Sequence, residues 1–214
     1  MDIGEGLLLL VVGNGERLFR SRIPAVVPDA LAVAELLSTG GDHGSEDVAS
    51  WIERSAPGRL DALAPSLAET GALRLLGENK WVALQLTDAG RVRARAVLDQ
   101  LIAAAGDHKH AALEDRALAA LARVAGCFET LLPDRKHRKQ RAALGRLAAS
   151  GDPRQALLRA GLAAIEARKP AALKLGYRDL NLDEGFTSQP AAGFTADLLR
   201  SGLPTFDSFD GNGL

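Results

Sequence analysis

The sequence predicts a mainly α-helical fold, a compact multi-helix domain with one small β-hairpin. Three observations carry this. Hydrophobic residues make up 47% of the 214-residue chain but aromatics only 4%, and the apolar content is dominated by Ala and Leu, which are strong helix formers. Apolar residues recur at three- and four-residue spacing in one segment after another, each bounded by Ser, Thr, Asp, Gly or Pro. β-branched residues are few and scattered, and only one pair of short runs reads as strands.

Taken in order, Gly6–Val12 is a continuous apolar run closed by Gly13-Asn14-Gly15. Periodicity cannot separate a strand from a short buried helix at this length, and the Gly-Asn-Gly turn suits a sharp reversal. Pro28-Asp29 opens a helix carrying Leu31, Ala34, Glu35 and Leu37, ended by Gly40-Gly41. Ser45 is a suitable N-cap for a helix over roughly 45–55, with Glu46 and Asp47 near its positive end and Val48, Trp51 and Ile52 on one face. Pro57-Gly58 predicts a break. A further helix over about 59–70 places Leu60, Leu63, Ala64 and Leu67 on one side.

Leu73–Leu76 and Trp81–Leu86 flank Gly77-Glu78-Asn79-Lys80, a plausible hairpin loop. Thr87 and Asp88 cap a helix reaching about residue 105. The next helix is expected near 111–132, with Leu118, Leu121, Val124, Ala125, Phe128 and Leu132 close to one face, stopped by Pro133. A basic run leads into a helix ending near Ser150, and a last helix follows Asp152-Pro153. These elements define an expected domain over 1–168. From 169 to 214 the chain is an acidic tail rich in Gly and Pro, with Phe186, Phe194, Phe206 and Phe209, expected to be partly disordered or docked on the core.

Bulk properties narrow the function. A formal net charge of −1 argues against a dedicated nucleic-acid binder, though not against a local basic face. Cys127 is the only cysteine, which rules out an intramolecular disulfide and a cysteine-based metal cluster, and a cytoplasmic location is expected. The longest apolar run is far too short to span a bilayer. No catalytic constellation is apparent. His43, His108, His110 and His137 sit in charged or loop-like segments, and His108-Lys109-His110 has no carboxylate or Cys cluster to complete a metal site. Gly13-Asn14-Gly15 lacks the third glycine and the βαβ context of a dinucleotide loop. The expectation is a non-enzymatic protein without metal or cofactor. The densest cationic cluster is Asp134-Arg135-Lys136-His137-Arg138-Lys139-Gln140-Arg141, suited to phosphates on lipids or nucleic acids but without aromatics for base stacking.

Several motifs, in order, resemble the Golgi phosphoprotein 3 family. They are Leu7-Leu8-Leu9-Leu10 with Gly13-Asn14-Gly15, the helix Ala30-Leu31-Ala32-Val33-Ala34-Glu35-Leu36-Leu37, the pair Trp51-Ile52, the helix end Leu67 to Gly71-Ala72-Leu73, and Asp115-Arg116 with Leu118 and Leu121. The likeness covers residues 5 to about 168. It lacks the family's membrane-inserting hairpin segment between Gly41 and Ser45. The resemblance implies a mainly helical peripheral membrane protein that recognises phosphatidylinositol 4-phosphate or other anionic headgroups, on the inner face of the membrane. Arg20, Arg22, Arg54 and Arg59 are the residues expected to bind the headgroup; a protein partner is a further expectation, and nucleic acid is not expected.

The block from Trp51 to Leu101 also admits a winged-helix DNA-binding regulator. A helix at 59–70 offers only Arg59 among base-reading residue types, beside Asp61, Pro65 and Glu69, which makes it a weak recognition helix.

Overall fold

The computed structural model describes residues 2–13, 17–40, 47–77, 82–149 and 155–168. Among them are eight α-helices, α1 (Ile3–Val11), α2 (Val26–Ser38), α3 (Val48–Glu69), α4 (Asp88–Gly106), α5 (Leu113–Val124), α6 (Cys127–Leu131), α7 (Arg138–Ala149) and α8 (Ala156–Arg168). A three-stranded antiparallel sheet is formed by β1 (Leu18–Phe19), β2 (Leu73–Leu76) and β3 (Ala83–Leu86). Contacts divide the chain at Lys174. The tail expected over 169–214, the proposed cap Ser45, the first-turn Pro153, His43, Trp81 and most of the hairpin loop lie outside the described residues.

The Leu-rich run resolves as helix. Asp2 caps α1 by accepting from the backbone N–H of Gly4 at 2.8 Å and of Glu5 at 3.2 Å. Its second carboxylate oxygen accepts from Ser38 Oγ at 3.0 Å, fastening the start of α1 to the end of α2. Leu7, Leu8, Leu9 and Leu10 are all buried. A helix apolar on every side has to be surrounded, and α1 is packed by α2, α3, α4 and α5.

The sequence expectation of a break at Pro57-Gly58 is corrected: α3 runs unbroken for 22 residues with Pro57 and Pro65 inside it. Each proline removes one main-chain hydrogen bond and disfavours helix by about 3 kcal/mol. Both rings are exposed, and the inward stripe Trp51, Ile52, Ala56, Leu60, Ala64, Leu67 continues in register through them. Burying its large side chains contributes roughly 1.5–3 kcal/mol each, and that continuity holds the helix together. The N-cap is Asp47, accepting from Ala49 N and Ser50 N.

Elsewhere α2 begins at Val26, so Pro28 sits within its first turn, where no N–H is needed. The single helix expected near 111–132 is two. Gly126 at φ 74° turns the chain between α5 and α6, so that Cys127 and Phe128 point into the core. The hairpin forms as expected, with Leu73 opposite Leu86 and Leu75 opposite Leu84. The two-residue strand β1, absent from the sequence reading, adds to the far side of β3 with Leu18 opposite Leu84 and Phe19 opposite Ala83. Strand order is therefore β1-β3-β2. One sheet face, with Leu73, Leu75, Leu84 and Leu86, turns toward α3.

Candidate functional site

The four arginines expected at a headgroup site fall on two elements. Arg20 and Arg22 lie in a 3-10 turn directly after β1; Arg54 and Arg59 lie on α3. The Arg20 guanidinium is 2.5 Å from Asp61 of α3, and Arg59 pairs with Glu35 of α2. Residues 59 and 61 are about 200° apart around a helix. The Arg20–Asp61 and Arg59–Glu35 pairs thus lie on opposite sides of α3, and each arginine is already neutralised by an acid. Arg22 lies over the Phe19 ring, 5.9 Å from its centroid, and Arg54 is exposed on α3. The structure therefore does not gather the four into one basic pocket. Within the Arg59–Glu35 pair, Arg59 Nε and Glu35 Oε2 are enclosed without a hydrogen-bond partner among the described residues, so the contact is only half satisfied.

Arg20 and Asp61 stand at the rim of a shallow recess of about 160 Å³ lined by Leu60, Ala64, Pro65, Leu75, Val82 and Leu84. The lining is apolar, where the face of α3 meets the sheet. Among the described residues no general acid or base lines it other than Asp61, which is ion-paired.

A second electrostatic feature joins α8 to the core. Asp29 is 8% exposed on α2 and takes a 3.2 Å hydrogen bond from Arg168 Nε. The same guanidinium lies 3.9 Å from Glu53 of α3. Burial pushes the Asp29 carboxyl above the usual carboxylate range, and Arg168 draws it part of the way back. An arginine held between two carboxylates ties three helices together, and the contact is structural in character.

The histidines do not converge. His110 Nδ1 is 2.9 Å from Asp107, His137 Nδ1 is 2.6 Å from Gln140 Oε1, and no group of three metal-capable side chains occurs among the described residues. Burial, with Glu129 adding to it, pushes the Cys127 thiol up to about 12, which leaves it un-ionised.

The basic run behaves differently from the α3 arginines. It forms a 3-10 turn over Arg135–His137 and the first turn of α7. Arg141 turns inward to donate to the carbonyls of Leu132 and Asp134, closing the end of α6, and Lys136 pairs with Asp134 at 3.1 Å. Arg135, Arg138, Lys139 and Arg146 stay exposed, with no ion-pair partner among the described residues. Arg138 and Arg146 are two helical turns apart and share a side of α7, about 12 Å from one to the other. The sequence marked the run as cationic; which of its charges are free depends on the fold.

The structure also assembles a feature that sequence reading missed. With Leu75 and Leu84 turned to α3, strand alternation sends Arg74, Leu76, Ala83, Gln85 and Phe19 to the opposite face of the sheet. The signal was the alternation within Leu73–Leu76, but β1 is too short to be recognised before it is seen paired.

Among the described residues, no helix is long and apolar enough to cross a membrane. Comparison with protein-family models, with curated proteins and with solved structures finds no match to this chain.

Proposed function

We propose that the chain is a divergent Golgi phosphoprotein 3-like, non-enzymatic adaptor that sits peripherally on the cytoplasmic face of a membrane and engages phosphoinositide or other anionic headgroups. One observation supports this most. Arg20 and Arg59 are bound to Asp61 and Glu35, whereas Arg135, Arg138, Lys139 and Arg146 are exposed and have no ion-pair partner among the described residues. Each near-surface cation contributes about 1 kcal/mol to attraction toward an anionic leaflet. Four such charges suffice for reversible, salt-sensitive attachment without a pocket. Co-sedimentation with phosphatidylcholine vesicles, with and without phosphatidylserine or phosphatidylinositol 4-phosphate, tests the reading. Salt-sensitive binding to the anionic vesicles is expected, and replacing Arg135, Arg138 and Lys139 by Ala should weaken it on the order of a hundredfold. Equal and negligible binding to all vesicles would remove the proposal.

A second reading has its own observation. The order α1-β1-α2-α3-β2-β3, with strand order β1-β3-β2, is the arrangement of a winged-helix DNA-binding domain, with α3 as recognition helix. Beyond the exposed Arg54 near its start, its outward positions over the second half are Asp61, Ala62, Pro65, Ser66 and Glu69. They offer neither cations for phosphates nor amides for base edges, which ranks this reading second. Sequence-preferring DNA binding that falls steeply with salt would reverse the order.

A further inference from the structure

We infer that the outer face of the sheet enters the headgroup region of an anionic bilayer, with Phe19 as its apolar anchor and Arg22 and Arg74 as its phosphate-binding groups. This rests on the membrane reading and adds a second contact surface to the exposed cations of the 135–146 stretch.

The register builds the face. Phe19, Ala83 and Leu76 form one cross-strand row, and Arg74 and Gln85 lie in the next. Two interstrand spacings put Phe19 and Leu76 about 10 Å apart. Phe19 is 36% exposed, an unusual state for a phenylalanine in a chain this poor in aromatics. Arg22 and Arg74 are exposed, and neither has an ion-pair partner among the described residues. The strands and the 3-10 turn contain no acid at all. Arg20, the remaining charge of that turn, goes to Asp61 on α3. The outer face thus has the exposed Phe19 and half-buried Leu76 either side of the buried Ala83, and beside that row arginines with the neutral Gln85 and no acid.

That pairing of chemistries selects the partner. A phenylalanine settles at the boundary of headgroups and acyl chains, and guanidinium groups bind phosphates bidentately just above it. Arg22 lies over the Phe19 ring, 5.9 Å from its centroid, which keeps anchor and cation side by side, and such a contact strengthens once water is displaced. A nucleic acid fits less well. A duplex would engage the two guanidinium groups through its phosphates but leave Phe19 in water, whereas a bilayer takes up both the apolar and the cationic side chains.

The full chain with vesicles of phosphatidylcholine, with or without phosphatidylserine, provides the test. The variant Arg22→Ala/Arg74→Ala should bind phosphatidylserine vesicles at least about tenfold more weakly, since each near-surface cation contributes roughly fivefold. Both side chains are exposed, so its melting curve should match the parent. Phe19→Trp should gain blue-shifted emission on the same vesicles, quenched by lipids brominated in the acyl chains, above any signal from Trp51 and Trp81. If the parent binds vesicles but the double variant binds equally well and the added emission of Phe19→Trp is not quenched, the inference is overturned while the membrane reading stands. If the parent binds no vesicle, the membrane reading fails with it. Loss of duplex DNA binding in the double variant, with no vesicle binding by the parent, would assign the face to nucleic acid instead.

Discussion

Replacing Gly90 by Ala tests the junction that presents the sheet. Gly90 is in the first turn of α4, and a Cβ built there lies 1.9 Å from the Ala72 carbonyl oxygen, 2.9 Å from its carbon and 3.2 Å from Leu86 Cδ2. Relaxed C···O contacts are about 3.3 Å or longer, so one backbone segment must move by more than 1 Å, roughly the difference. Ala72 has little room to do so. Its carbonyl accepts from Thr87 N at 3.1 Å and its N–H donates to Leu67 O at 2.9 Å, which locks the end of α3, the start of β2 and the cap of α4 together. Overpacking costs about 1–3 kcal/mol and each weakened hydrogen bond about 1 kcal/mol, offset by about 1 kcal/mol of gained helix propensity. The expected net loss is about 2–3 kcal/mol, or a fall in Tm of about 5–10 °C for a domain of this size. Urea unfolding followed by far-UV circular dichroism measures it. Gly145→Ala on α7 is the control, because a Cβ there meets nothing within 4 Å, and it should stabilise by up to about 1 kcal/mol. Should Gly90→Ala prove as stable as the parent, the close approach of α4 to Ala72 is wrong.

Three further outcomes follow from the core. Arg168→Met leaves Asp29 buried without its partner and should cost about 1–3 kcal/mol at neutral pH. Because the folded-state pKa of Asp29 is raised, its contribution to stability is fully present at low pH and is lost as pH rises through that value. The Arg168→Met deficit should therefore shrink on acidification, and adding Asp29→Asn should abolish that pH dependence in urea titrations; a deficit independent of pH would refute the pairing. Cys127, 3% exposed and with its thiol pushed up to about 12, should resist a disulfide reagent at pH 8 until the protein is unfolded; rapid native labelling would contradict its burial. Gly126→Ala forces a side chain into the left-handed region at φ 74° and should lower stability by about 1–2 kcal/mol, whereas an unchanged melt would favour the continuous helix that the sequence suggests.

Much of the helical fold was legible because its signals are local. The Thr87 cap, the inward spacing of Ala94, Val97, Leu98 and Leu101 on α4, and the hairpin runs around Gly77 each lie within a few residues of one another. The misread places had local signals opposed by packing. Pro57 and Pro65 favour breaks, but the stripe from Trp51 to Leu67 is buried against α2 and the sheet. At Gly126, a helical apolar pattern concealed a turn that redirects Phe128 inward. The candidate arginines were visible as residue types only. Whether a guanidinium is free or neutralised depends on partners such as Glu35 for Arg59 or Asp61 for Arg20, tens of residues away in sequence.

The sequence by itself determined a helix-rich chain built on Ala and Leu, a short hairpin, a Leu-rich segment that has to be buried, and a cationic run at 135–141. Those properties are set by composition, periodicity and capping, which act over a turn or two of chain. Only the tertiary structure decided that α1 lies at the centre, that β1 completes a sheet in the order β1-β3-β2, and which cations remain exposed. The outer face joining Phe19, Arg22 and Arg74 comes from pairing strands more than fifty residues apart in sequence. Strand register and ion pairing are non-local, so chemistry on such a face exists only once the chain has folded.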